Sequence, residues 1–219
     1  MATKMRLYGF WRSSCSWRVR IALAHKGIEC GYTPINLVQD GGEQHRDAFD
    51  AINSMRQVPV LEYEDAGVLR RVSQSMAILE LLEELHPSPA LLPTNTYLRA
   101  KTRELAEVIN SGIQPFQNSH IHKKLKAEYG VDEHALTRYM VHRGLAAFGA
   151  ALAEFSGRYC IGDQITFADV LLVPQLYHAR RHGLDLAPFP RLLGIEQACM
   201  ALPAFQAAHA DRQPDAPAP

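Results

Sequence analysis

The sequence lacks the features that mark several large classes of protein. It has no apolar run long enough to cross a bilayer, and its first residues, MATKMRLYGF, lack the apolar segment of a secretory signal. We therefore expect a cytoplasmic chain with reduced thiols. The 23 basic residues equal the 23 acidic ones and form no run of lysine or arginine, so the chain carries no electrostatic footprint for nucleic acid or an anionic membrane.

Metal-ligand and disulfide patterns are missing too. The ten histidines form no HExxH pair, and the four cysteines form no CxxC pair, which predicts neither a metal site nor a disulfide framework. No internal repeat is visible. A chain of 219 residues with 47% hydrophobic residues is ample for a buried core. Only residues 214–219, rich in proline and alanine, look like a frayed tail.

The first 87 residues alternate between strand and helix patterns. Period-two or short apolar runs predict strands, and apolar residues at helical spacing predict helices. The predicted strands are 5–10, 32–37, one beginning at Val58 and 68–72; the predicted helices are 14–26, 44–51 and one capped by Ser75 that ends at His86-Pro87. A proline at the start of the third strand fits an edge strand or a special turn, and it is a candidate for a cis bond.

From residue 97 onward the pattern is helical throughout. Thr166 and Asp169 have the spacing of a capping box, and they open a run that is apolar nearly all round, as expected of a central helix. Pro174 lies inside that run and should kink it. With residues 87–93 as the linker, we predict an α/β domain over 1–87 and an all-helical domain over 92–213.

The stretch 10–20, FWRSSCSWRVR, lies where a strand should hand over to a helix N-terminus. Backbone N–H groups and the positive end of the helix dipole favour an anion there, and Ser13, Ser14 and Cys15 add hydroxyl and thiol donors. Alternatively, the serines only cap the helix and Cys15 is a small buried residue. Spacing alone leaves both interpretations open.

These residues also carry a family resemblance. SSCSWRVRIAL is similar to the active-site signature of the zeta-class glutathione transferases, and the matches continue in the family's order over essentially the whole chain. The other matching segments are PINLVQDGGEQ at 34–44, QVPVL at 57–61, SQSMAILELLEE at 73–84, GIQPFQN at 112–118, YCIGDQITFADVLLVPQ at 159–175 and LDLAPFP at 184–190. The resemblance implies a thioredoxin-like N-terminal domain that binds glutathione, an all-α C-terminal domain on the substrate side, and a homodimer.

The resemblance also implies roles for individual residues. Ser13 and Ser14 would donate to the glutathione sulfur, with Cys15 a close but less essential neighbour. Arg18 stands where a redox protein would have its second cysteine, which argues against thiol–disulfide exchange. The remaining glutathione contacts would be the Val58-Pro59 cis turn for the cysteinyl part, Gln74 and Ser75 for the γ-glutamyl carboxylate, Gln44 for the glycyl end, and Gln114, Asn118 and Ser119 or His120 from the helical domain.

The activity implied is the glutathione-dependent cis–trans isomerisation of maleylacetoacetate to fumarylacetoacetate in the breakdown of tyrosine and phenylalanine. The thiolate would add to the double bond, allow rotation and leave again. The substrate is a small dicarboxylate, for which Arg12 and Arg181 are the predicted anchors. Arg180 points about 100° away from Arg181 and is predicted to be a surface residue.

The sequence leaves a second substrate and a second activity open, and it argues against a third alternative, a protein without catalytic activity. Several bacterial relatives carry an arginine near Ser119-His120, so maleylpyruvate remains a candidate substrate. A transferase that conjugates or dehalogenates small α-haloacids would share every glutathione contact. A non-catalytic binding protein predicts loss of the serine cluster or of Gln74-Ser75, and both are present.

Two further patterns have a structural explanation. A capping box accounts for Asp169 without a catalytic role. His25, His142 and His178 lie on predicted helices without an obvious partner, so we predict ordinary solvated or packed histidines.

Overall fold

The structure is a computed structural model that describes residues 4–217. It divides into two compact units, one made of the described residues up to Ala90 together with those from Leu202 onward, the other of Leu91–Ala201. The elements of the first unit are β1 (Met5–Gly9), α1 (Ser14–His25), β2 (Gly31–Pro34), α2 (Asp47–Asp50), β3 (Val60–Asp65), β4 (Val68–Ser73), α3 (Ser75–Leu85) and, from the end of the chain, α9 (Pro203–Ala207).

The four strands form one mixed sheet in the order β2-β1-β3-β4. β1 pairs parallel with β2 and antiparallel with β3, and β3 pairs antiparallel with β4. A parallel pair needs a crossover connection, which α1 supplies. Leu7 stands opposite Tyr32 on one side and Leu61 on the other, and both leucines are buried. The predicted order of a thioredoxin-like unit, βαβα followed by ββα, is confirmed.

Two predicted elements of this unit are shorter than expected. The predicted helix over 44–51 is instead a 3-10 turn, Glu43–His45, followed by the four-residue α2, because Arg46 between them has an extended backbone (φ −74°, ψ 145°). The predicted strand over 32–37 ends at Pro34. The side-chain oxygen of Asn36 accepts hydrogen bonds from the backbone N–H of residues 38 and 39, which turns the chain away from the sheet.

The second unit is all helical, as predicted. Its helices are α4 (Thr96–Asn110), α5 (Ser119–Tyr129), α6 (Glu133–Leu152), α7 (Phe167–Arg181) and α8 (Pro190–Met200), with a 3-10 turn at Gln114–Gln117. α7 is buried over most of its length and begins with the predicted capping box of Thr166 and Asp169. It continues through Pro174 without ending there.

The end of the chain groups with the first unit, whereas the sequence patterns assigned residues up to 213 to the helical domain. The prediction of a frayed tail over 214–219 is wrong for the residues that the structure describes. Asp215 accepts hydrogen bonds from the Trp11 backbone and the Tyr32 hydroxyl, contacts that no local pattern announces. Residues 218 and 219 lie outside the described part of the chain.

Two kinds of feature are absent from residues 4–217. No helix among them is both long and apolar enough to span a bilayer. Nor do these residues contain a group of three or more histidine, cysteine, aspartate or glutamate side chains that could hold a metal ion.

A buried ion pair ties α1 to α3. Lys26 donates to Glu83 at 2.7 Å and also to the carbonyl oxygens of His86 and Pro89 at 2.7 and 2.9 Å. The Lys26 side chain is 0% exposed and the Glu83 side chain 9% exposed. Lys26 thus holds the end of α3 and the segment that follows it through three hydrogen bonds.

Removing one partner of this pair should destabilise the first unit strongly. We expect Lys26→Met to lower the free energy of unfolding by about 3–5 kcal/mol, because it leaves the Glu83 carboxylate buried without its cation. Urea unfolding followed by tryptophan fluorescence measures this, since both tryptophans, Trp11 and Trp17, lie in the first unit. The control is Arg70→Met, which breaks an exposed pair with Asp65 and should cost about 1 kcal/mol or less. Equal losses in the two variants would contradict the stabilising role of the buried Lys26–Glu83 pair.

Candidate active site

The loop between β1 and α1 is held by serine side chains. Ser13 is the N-cap of α1, and its hydroxyl oxygen accepts from the Ser16 backbone N–H at 3.2 Å. Ser16 is fully buried, and its hydroxyl oxygen accepts from the Phe10 backbone N–H at 3.3 Å. The capping interpretation of Ser13 is therefore confirmed. Capping uses only the oxygen as an acceptor, so the Ser13 O–H can still donate to a ligand.

Ser14 and Cys15 form the first turn of α1. Ser14 is buried, whereas Cys15 is half-buried, so the interpretation of Cys15 as a small buried residue is wrong. The first turn contains no acidic residue, and the positive end of the helix is not neutralised within it. The site can therefore receive an anion from outside.

A second helix N-terminus lies at α3. The N-cap is Gln74, with φ 71° and ψ 115°, and Ser75 is the first helical residue, so the prediction of Ser75 as the N-cap is wrong by one position. The positive φ of Gln74 turns the chain sharply out of β4 into the helix. The Gln74 side chain makes no capping hydrogen bond, which leaves the first N–H groups of α3 without a side-chain cap.

Arg18 connects the two helices, whereas the sequence predicted only that an arginine at this position argues against thiol–disulfide exchange. It is fully buried in α1, and its guanidinium donates to the Ser75 hydroxyl oxygen at 3.0 Å. Because a hydroxyl oxygen accepts while its own hydrogen donates, this bond orients Ser75 as a donor toward a further group. An arginine inside the apolar run WRVRIAL is the signal that could have identified it, since buried arginines are rare unless their charge is used.

The sheet brings a third loop to the same edge. The Val58-Pro59 peptide bond is cis and leads directly into β3. Val60 at the start of β3 pairs with Tyr8 near the end of β1 and with Ser73 at the end of β4. The turn therefore lies beside the loops that carry the serine cluster and Gln74. β3 is a central strand, so of the two alternatives for this proline the special turn is right and the edge strand is wrong.

Gln44 lies in the 3-10 turn after β2. Its amide packs so closely against Gly42, which has a φ of +101°, that a β-carbon at that glycine would clash with it. The side-chain oxygen of Gln44 is buried and has no hydrogen-bond partner among the described residues. A buried amide oxygen without a partner is costly, and a donor from a ligand would satisfy it.

Arg12 is the cation of the β1–α1 loop. Its guanidinium carbon lies 5.9 Å from the ring centre of Phe10 and 5.5 Å from that of Trp11. These distances are within the range of cation–π contacts. The loop thus carries a fixed positive charge directly before Ser13.

The remaining predicted site residues belong to the second unit. Gln114 and Asn118 are half-buried, whereas Ser119 and His120 are exposed. Asn118 is the N-cap of α5, yet its side chain does not cap the helix. Its oxygen lies 3.0 Å from Nδ1 of His120 instead. These residues lie within seven positions of one another in sequence, and Asn118 and His120 are in contact.

Arg181 ends α7, apart from that stretch, and is exposed. Its neighbour Arg180 forms a two-pronged ion pair with Glu196, which accounts for Arg180 as the predicted surface residue.

The other titratable candidates serve the structure. Asp169 is fully buried and accepts from the backbone N–H of Cys160 at 2.8 Å and of Thr166 at 2.9 Å. Burial raises the pKa of the Asp169 carboxyl, and burial also raises the pKa of the Cys160 and Cys199 thiols. A capping box with two inert thiols beside it confirms the structural explanation of Asp169.

Comparison with known proteins identifies the relatives of the chain. Residues 12–85 match the family "Glutathione S-transferase, N-terminal domain", and residues 125–203 match "Glutathione S-transferase, C-terminal domain". The chain is 45% identical over 217 residues to the maleylacetoacetate isomerase of Rattus norvegicus, covering 99% of this chain and 97% of the relative.

Solved structures are similar over the full length as well. A crystal structure of maleylacetoacetate isomerase from Anaeromyxobacter dehalogenans 2CP-1 with bound glutathione has a TM-score of 0.91 and 50% identity, with 99% of each chain covered. A second crystal structure of that protein holds dicarboxyethyl glutathione and citrate, at a TM-score of 0.89 and 48% identity with the same coverage. A maleylpyruvate isomerase, described as a bacterial zeta-class glutathione transferase, has a TM-score of 0.89 and 39% identity, covering 97% of this chain and 100% of that one.

Proposed function

This chain belongs to the zeta-class glutathione S-transferases, and from that membership we propose that it is a glutathione-dependent isomerase that converts maleylacetoacetate to fumarylacetoacetate. The observation that carries the proposal is that Arg18 links α1 to the N-terminus of α3, and that both helices begin with hydroxyl donors and have no acidic residue in the first turn. Such a pair suits a ligand with at least two separate anionic groups, and glutathione with an ionised thiol offers the thiolate and the γ-glutamyl carboxylate to these two helix ends.

The described residues of the first unit fit glutathione group by group. The first N–H groups of α3 and the Ser75 hydroxyl suit the γ-glutamyl carboxylate, because they are donors at a positive helix end. The backbone of the cis turn before β3 suits the cysteinyl peptide group. The orphaned amide oxygen of Gln44 suits a donor near the glycyl end.

The serine cluster governs the state of the thiol. Glutathione, when bound, supplies the sulfur that adds reversibly to the substrate's double bond and permits rotation. Ser13 and Ser14 donate hydrogen bonds toward that sulfur from the N-terminus of α1, which stabilises thiolate over thiol. Cys15 is a neighbour in the same turn and supplies neither the nucleophile nor the principal donor.

The substrate carboxylates require local cations, because the protein has no net charge to attract a dianion. We assign Arg12 and Arg181 to them, since the planar guanidinium can grip a carboxylate with two parallel hydrogen bonds. Gln114, Asn118 and Ser119 or His120 complete the proposed set of polar contacts from the helical unit.

Maleylpyruvate is the second candidate substrate, and the similarity of this chain to a maleylpyruvate isomerase supports it. His120 is its discriminating residue, because it stands near the position where several bacterial relatives have an arginine. Conjugation or dehalogenation of small α-haloacids would use the same thiolate and is proposed as a side activity.

We also propose a cytoplasmic homodimer. β4 is an edge strand that exposes Val68 and Leu69 (48% and 59%), and a second copy could cover this apolar edge. Analytical ultracentrifugation of the purified chain decides between monomer and dimer.

The first prediction for this function concerns the coenzyme. Isomerisation of maleylacetoacetate should vanish without glutathione and return at amounts far below those of the substrate, because the thiol is regenerated in each turnover. S-methylglutathione, which keeps the carboxylates but lacks a free thiol, should not restore it. Spectrophotometric assays with maleylacetoacetate and with maleylpyruvate, each with and without glutathione, measure this and rank the two substrates. Full activity without any thiol would exclude the mechanism.

The second concerns the serine cluster. Ser14→Ala and Ser13→Ala should each lower kcat by about 10²–10³, as the loss of an oxyanion donor does. Cys15→Ala should be milder, because the attacking sulfur belongs to glutathione. Ser13→Ala also removes a cap worth about 1 kcal/mol, so thermal stability is measured beside the rate. An inactive Cys15→Ala beside two fully active serine variants would reverse the assignment.

The third concerns Arg181. Losing a charge-assisted contact to a carboxylate costs about 1.5–3 kcal/mol, so Arg181→Ala should raise the substrate KM by about 10- to 100-fold. Glutathione affinity should stay near that of the unmodified chain. The matched control is Arg180→Ala, because Arg180 is engaged with Glu196 and should leave both constants unchanged. A loss of glutathione affinity in Arg181→Ala with normal substrate kinetics would show that this arginine serves the coenzyme.

A further inference from the structure

A carboxylate from the end of the chain reaches the loop that begins the serine cluster. One oxygen of Asp215, Oδ2, accepts from the Trp11 backbone N–H at 2.9 Å and from the Tyr32 hydroxyl at 3.2 Å. Trp11 lies just beyond β1 and outside α1, so neither element supplies an acceptor for its N–H. Asp215 therefore satisfies a backbone group that the strand and the helix leave open.

Arg20 holds the other side of the same residue. Its guanidinium donates to the Trp11 carbonyl at 2.8 Å, the Phe10 carbonyl at 3.4 Å and the Ala208 carbonyl at 3.2 Å. Burial lowers the pKa of Arg20 to about 10, with Tyr32 and Asp215 opposing the shift, so it remains charged at neutral pH. Trp11 is thus held at its N–H by the tail and at its carbonyl by α1.

The orientation of Trp11 decides where its neighbours point. The Arg12 guanidinium lies over the rings of Phe10 and Trp11, and the Ser13 backbone N–H donates to the Phe10 carbonyl at 3.0 Å. A rotation of the peptide group at Trp11 would therefore move both the proposed carboxylate anchor and the first hydroxyl donor.

We infer that Asp215 is a positioning residue of the active site: its Oδ2 fixes the Trp11 peptide and, through it, the orientation of Arg12 and Ser13. The inference rests on the proposed isomerase function for the roles of those two residues. We assign the positioning role to the place of the Asp215 acceptor, whereas the charge of Asp215 has a separate effect, which is to support the buried Arg20 guanidinium. Its second oxygen, Oδ1, is buried with no hydrogen-bond partner among the described residues, so Asp215→Asn breaks no hydrogen bond among them. The unpaired amide nitrogen that replaces Oδ1 should lower thermal stability rather than the rate, so stability is measured beside activity.

Two substitutions distinguish the effect of the position of the Asp215 acceptor oxygen from the effect of the charge of this side chain. Asp215→Asn keeps an acceptor oxygen at the same distance from the backbone and removes the charge, whereas Asp215→Glu keeps the charge and moves the acceptor by one methylene. We expect Asp215→Asn to stay within about twofold of the unmodified kcat/KM. Asp215→Glu should lose about tenfold or more, because small displacements of reacting groups are costly. The loss should lie in kcat and in the substrate KM, with glutathione affinity by calorimetry nearly unchanged, since α3 and Gln44 hold the ends of that ligand.

A second readout needs neither substrate nor glutathione. The Trp11 amide should exchange with solvent faster in Asp215→Glu than in Asp215→Asn, which nuclear magnetic resonance measures on the free protein. Asp211→Asn and Asp211→Glu are the matched controls, because Asp211 is an exposed carboxylate of the same segment that contacts His209. Both should behave as the unmodified chain. If Asp215→Glu does not fold, a chain ending at Gln213 removes the carboxylate and should show the same loss of kcat.

The outcomes separate this inference from the proposed function. The positioning role is wrong if Asp215→Asn is slower than Asp215→Glu. It is also wrong if the two variants do not differ in rate and in amide exchange. An unmodified chain that is inactive toward both maleyl substrates would overturn the proposed function instead, while the exchange rates would still decide whether Asp215 holds the loop.

Discussion

The organisation of the first unit depends on two positive helix ends that meet at one edge of the sheet. β1 runs into α1 and β4 runs into α3, and the antiparallel position of β3 between those strands brings its cis-proline turn to the same edge. Helix N-termini leave backbone N–H groups without partners, and here the acceptors supplied by the chain are few. The fold therefore creates an unsatisfied, positively polarised edge, and an anionic peptide completes it.

Buried arginines reinforce this edge. Arg18 and Arg20 lie in the same helix two residues apart, and both are at most 7% exposed. Burying a guanidinium is costly unless its donors are used. One donor of Arg18 is directed at Ser75, and Arg20 donates to the Phe10 and Trp11 carbonyls of the active-site loop and to the Ala208 carbonyl. A protein with no net charge can thus concentrate positive potential where an anion binds.

How much of this the sequence could predict follows from the range of each interaction. Local signals identified β1, α1, the capping box at Asp169 and the cis proline, because strand patterns, caps and turns are decided by residues a few positions apart. They misplaced the cap of α3 by one residue, since the left-handed backbone of Gln74 has no sequence signature as clear as a glycine. The prediction of one helix over 44–51 is wrong for a similar reason. The residues fit a helical pattern, but the extended backbone of Arg46 divides the segment. The residues assigned to glutathione came from the family resemblance, whereas Arg18 and Asp215 came from neither source.

Asp215 shows why such residues escape local reasoning. Proline- and alanine-rich ends usually lack the apolar residues needed to hold them, so composition predicts fraying. This end is held by polar contacts to residues about 200 positions away in sequence, which no pattern within the tail can indicate. The loop needs an acceptor for the Trp11 amide, and α1 cannot supply one because its own carbonyls point toward its C-terminus. An acceptor must come from another segment, and α9 leads the end of the chain back along α1 to the place where one is missing.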